Sequence, residues 1–123
     1  MVGVFDWDWA SSQPRMVDVA DGLLFFCGVR RGALVAGDIW SLTEAFSIDE
    51  SRVEGFLEGY SSDLRLTSEE LRALPDLMRC RWLYCRADAA RRKVAPERAA
   101  EFVARELDLP LTGIDALEAK LRG

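Results

Sequence analysis

The chain has 123 residues, half of them hydrophobic and 30% charged, with a net charge of −5 and no histidine. That length holds one domain with its own core and is short for two. An acidic domain of this kind lacks the electrostatic footprint for nucleic acid or an anionic membrane surface, and no run approaches the roughly 20 apolar residues of a membrane span.

The opening, MVGVFDWD, has no basic leader and no long apolar stretch, so it does not read as a secretory signal. Residues 2–5 are β-branched and aromatic and predict a short strand ending at Asp6. Pro14 stands where a helix can start without an amide donor. The apolar positions from Met16 to Cys27 lie almost all round the wheel, which predicts a helix buried on most sides and running to about Val29. Arg30, Arg31 and Gly32 would close it, cations and a glycine near the negative end of the dipole.

A short helix is expected over residues 38–46. Ser47 to Glu50 has the spacing of a capping box, and Val53, Phe56, Leu57 and Tyr60 form an amphipathic stripe behind it. Thr67 to Glu70 is a second capping box. It opens a long helix through Leu71, Leu74, Leu77, Met78, Trp82 and Leu83, which Pro75 should kink or split. Pro96 starts a further helix with Ala99, Phe102, Val103 and Leu107 inward, and a last one capped by Thr112 covers residues 114–121. No second strand is visible, so the chain reads as helical after the first few residues.

Cys27, Cys80 and Cys85 are odd in number, and without histidine or a CxxC pair a zinc site has almost no ligands to draw on. They read as reduced cytoplasmic thiols that fill the core. The tryptophans at 7, 9, 40 and 82 read as core more readily than as a substrate platform. The arginine-rich run over residues 79–98 reads as a solvated helix face with snorkelling stems. Charge is uneven: residues 1–60 carry ten acids and four bases. Two differently solvated faces account for this; the sharper reading is a site for a metal ion or a basic substrate.

Two stretches carry a resemblance. GVFDWDWASSQPRMVDVA is similar to the metal-binding segment of the aminoglycoside phosphotransferase and choline/homoserine kinase-like family. There a glycine and two hydrophobic residues lead into Asp-[Trp/Phe]-[Asp/Glu]-x-Ala, a short loop with proline, and Asp-[Leu/Val]-Ala opening a buried helix. Gly3, Val4, Phe5, Asp6, Trp7, Asp8, Ala10, Pro14, Asp18, Val19 and Ala20 match. FLEGYSSDLRLTSEELRALP resembles a later motif of the same family through Phe56, Gly59, Tyr60, Leu66, Thr67, Glu70, Leu71, Leu74 and Pro75. Together they span about a third of the chain.

The resemblance implies a mainly α fold with one short N-terminal strand. Residues 1–123 would form a single domain, the helical C-terminal lobe portion of the protein-kinase-like α+β fold. It implies ATP and Mg²⁺ as cofactors, because phosphoryl transfer needs a hard cation to bridge the phosphates. Asp6 corresponds to the metal-binding aspartate. Asp8 is a partner of that site, a substrate contact or a solvated turn residue. Asp18 looks like the buried helix-start aspartate that ties down the catalytic loop, although it could simply cap the helix or pair with Arg15.

Much of the family's machinery does not occur in these residues. The catalytic loop has the form His-Gly-Asp-x-x-x-x-Asn, yet histidine and asparagine are both absent and the only lysines are Lys93 and Lys120. The expectation is the C-terminal portion of a small-molecule kinase, inactive alone, whose full-length form phosphorylates a hydroxyl of an amino-bearing alcohol. The alternative is a degenerate, non-catalytic remnant acting as a binding or protein-interaction module. A third class is a small helical protein whose exposed strand recruits a partner strand. No nucleic acid or membrane partner is expected. Residues 2–9, apolar and with strand amides lacking a partner strand, are expected to drive self-association or else to be disordered.

Overall fold

The computed structural model describes residues 12–122. The strand expected over residues 2–5, and the self-associating segment 2–9, lie outside them. In chain order the elements are helix α1 (Arg15–Phe26), strand β1 (Gly28–Arg30), a 3-10 turn (Ile39–Thr43) and strand β2 (Phe46–Ile48). Helices α2 (Glu50–Asp63) and α3 (Ser68–Lys93) follow, then a second 3-10 turn (Pro96–Arg98), α4 (Ala99–Ala104) and α5 (Asp108–Arg122). The architecture is mainly helical, as expected, and α1, α4 and α5 all pack on α3.

Helix α3 is the spine. Its capping box forms as the sequence requires: Glu70 N–H donates to Thr67 Oγ1 at 3.2 Å, and Thr67 N–H donates to Glu70 Oε2 at 2.8 Å. The helix then runs 26 residues through Pro75 without splitting. An interior proline costs about 3 kcal/mol of helix stability. Leu74 and Met78 beside it are completely buried, each worth about 1.5–3 kcal/mol, and the proline ring is itself in the core. Burial wins, and the helix is not split at Pro75.

Helix α1 buries Met16, Val19, Ala20, Leu23 and Leu24 but leaves Phe25 and Phe26 exposed. It ends at Phe26, three residues earlier than its periodicity suggests, because the chain is captured by a partner strand. β1 pairs antiparallel with β2 in the register Gly28–Ile48, Val29–Ser47 and Arg30–Phe46. Asp49 N–H to the Cys27 carbonyl and Arg31 N–H to the Ala45 carbonyl, both 2.9 Å, extend the ladder at each end. The expectation of a chain helical throughout is therefore corrected. Two three-residue strands are too short to show alternation, and only their pairing defines them.

Smaller boundary shifts have the same origin. The helix expected over 38–46 is the 3-10 turn, capped by Asp38 Oδ1 on Trp40 N–H, and Phe46 belongs to β2. The capping residue of α2 is Asp49, which accepts from Arg52 N–H at 2.9 Å, since Ser47 is occupied in the sheet. Helix α5 begins at Asp108 with Pro110 in its first turn. Thr112 lies inside it, its hydroxyl donating back to the Asp108 carbonyl.

Glycines provide a test of this geometry. A Cβ on Gly28 would sit 2.7 Å from the Leu24 carbonyl oxygen and 3.0 Å from the Phe46 ring, whereas one on Gly55 or Gly59 in α2 meets nothing within 4 Å. Gly28→Ala should cost about 1–3 kcal/mol by overpacking, while Gly55→Ala and Gly59→Ala should each gain about 0.5–1 kcal/mol of helix propensity. Urea unfolding of the three variants reads these signs directly; a stabilised Gly28→Ala would mean that the helix-to-strand corner is not as tight as described.

Candidate functional site

The described part of the first stretch that carries the family resemblance, residues 12–20, meets the second through Arg15. α1 starts just after Pro14 and α3 starts after Thr67, and Arg15 joins them. Its Nε and Nη2 donate to Glu70 Oε1 and Oε2 at 2.7 and 2.6 Å, and Nη2 also donates to the Arg65 carbonyl at 3.0 Å. Glu70 is thus shared between its own helix cap and Arg15. The Arg15 guanidinium, followed by the Thr67 backbone N–H, holds the Glu70 carboxyl down to about 2.

Of the residues predicted to form the metal site, Asp6 and Asp8 lie outside the described residues, as do Trp7 and Trp9. Asp18 is in the first turn of α1 but exposed, accepting from Gln13 Nε2 at 3.2 Å. It is neither a buried aspartate nor the partner of Arg15, which is committed to Glu70. A first-turn carboxylate still favours the helix dipole. Among the described residues no group of three or more Cys, Asp and Glu could hold a metal ion. Several first-half acids have structural partners instead: Asp38 and Asp49 cap helices, Asp21 pairs with Arg81 and Glu50 with Lys120.

Trp82 packs in the core, whereas Trp40 is only half-buried. Trp40 meets Phe102 edge-on at 5.2 Å with Arg98 over its ring, and Trp82 meets Phe46 edge-on at 4.7 Å. Of the cysteines only Cys27 is fully buried. Cys80 is exposed, standing on the opposite side of α3 from Met78, and Cys85 is half-buried. Burial pushes the thiols of Cys27 and Cys85 up, so both are neutral.

The arginine run is not merely a solvated face. Arg79 bridges α3 to Asp115 and Glu118 of α5, and Arg81 grips Asp21 of α1 through two 2.7 Å bonds. Arg86 is only 3% exposed. It lies over the Trp82 ring at 4.7 Å, and Nη1 donates to the Phe102 and Arg105 carbonyls at 2.9 and 2.8 Å, closing the C-terminal end of α4. Its Nε and Nη2 are buried with no hydrogen-bond partner among the described residues. Burial first, and then the fields of Arg30 and Arg105, push its pKa down to about 10, which leaves it charged at neutral pH. The signal for Arg86 was present in the sequence. Leu74, Met78, Trp82, Arg86 and Ala90 recur every fourth residue and are all buried.

The fold these elements define is a small helical bundle on one long helix, flanked by a two-stranded antiparallel sheet. No protein-family model, no curated protein and no solved structure matches it. No described helix is long and apolar enough to cross a membrane.

The Arg15–Glu70 junction has a pH signature. The Glu70 carboxyl is depressed from an ordinary 4.5 to about 2, so its contribution to stability is complete above about 4.5 and is lost as pH falls toward 2. The difference in urea midpoint between the natural chain and Glu70→Gln should therefore be greatest at pH 5–6 and shrink toward pH 2. A difference independent of pH would show that the carboxylate's charge is not what joins the two helix starts.

Proposed function

We propose that this chain is the helical C-terminal portion of a cytoplasmic, ATP- and Mg²⁺-dependent small-molecule kinase of the aminoglycoside phosphotransferase and choline/homoserine kinase-like type. The observation that carries the reading is the Arg15–Glu70 junction. Two sequence-distant stretches, each resembling a motif of the same family, start their helices side by side and share one carboxylate. In that reading Asp6 holds Mg²⁺ through a hard oxygen ligand of the kind the ion prefers, and Asp8 supports the site or contacts substrate. Asp18 serves only to steady the start of α1.

The acceptor is a hydroxyl of an amino-bearing alcohol. The acidic balance of residues 1–60 supports this choice, with Glu54 and Glu58 of α2 exposed. Neither a catalytic-loop histidine nor an asparagine metal ligand occurs in the sequence, so phosphoryl transfer requires residues outside these 123.

A coupled assay of ATP consumption tests the reading in two stages. The 123 residues alone should show no turnover above background. Expressed together with the in-frame coding sequence upstream, the protein should phosphorylate an amino alcohol. There Asp6→Asn should lower kcat by more than about a hundredfold, the scale of losing one electrostatic stabiliser of the transition state, and Asp8→Asn should cost less. An upstream sequence without a catalytic loop would replace the kinase reading with that of a non-catalytic binding module.

A further inference from the structure

We draw no further inference here: the strongest candidate, the apolar groove between β2, α2 and α5 lined by Ile48, Val53, Gly113 and Leu117, has Glu50 and Lys120 at its rim already paired with each other, and nothing in the structure shows what covers it.

Discussion

Everything in this molecule leans on the buried row of α3. Leu74, Met78, Trp82, Arg86 and Ala90 recur every four residues, and a four-residue row is the ridge by which one helix seats in the groove of another. α1 packs on this helix with Leu23, Val19 and Ala20 at or near zero exposure, and α5 does so with Ile114 fully buried. Because the row is continuous, the helix must be continuous, and Pro75 is carried through by the apolar surface on either side of it.

Charge places these helices more than it holds them. Arg15–Glu70 and Arg81–Asp21 tie α1 to α3 at the start of α1 and further along it, and Arg79 ties α3 to Asp115 and Glu118 of α5. These side chains remain partly in solvent, where ion pairs contribute little net stability. Their planar, two-pronged geometry nonetheless favours one rotation of each helix about its axis. The core is apolar and would tolerate a small slide; the forks make such a slide unfavourable.

Arg86 shows what happens when a cation is placed within the row itself. Its neighbours supply two ring faces and two carbonyls at the end of α4, enough to fix the side chain but not to engage all of it. The sheet matters here because β1 brings Arg30, and β2 brings Phe46, against the Trp82 side of α3. Two strands of three residues add little to the core, yet they set Arg30 where its charge acts on Arg86.

The sequence by itself determined the helices whose signals are local. Thr67 and Glu70 lie within one turn of each other, and their reciprocal bonds start α3 whatever packs on it. The stripe of α2 at Val53, Phe56, Leu57 and Tyr60 repeats at the helical period and faces the core as that period requires. The reach of α1, the identity of β1 and β2 and the continuity of α3 were decided only in the tertiary structure, because each balances a local preference against a distant partner. Periodicity carried α1 to Val29, but strand pairing with Ser47 took Val29 out of it. Proline chemistry favours a kink or split of α3 at Pro75, but burial keeps it one helix. The same divide separates the sites. The aspartate motif near the start of the chain is legible because its residues are consecutive. Arg86 and Arg30 are 56 positions apart in sequence, and only packing brings their charges close enough to act on each other.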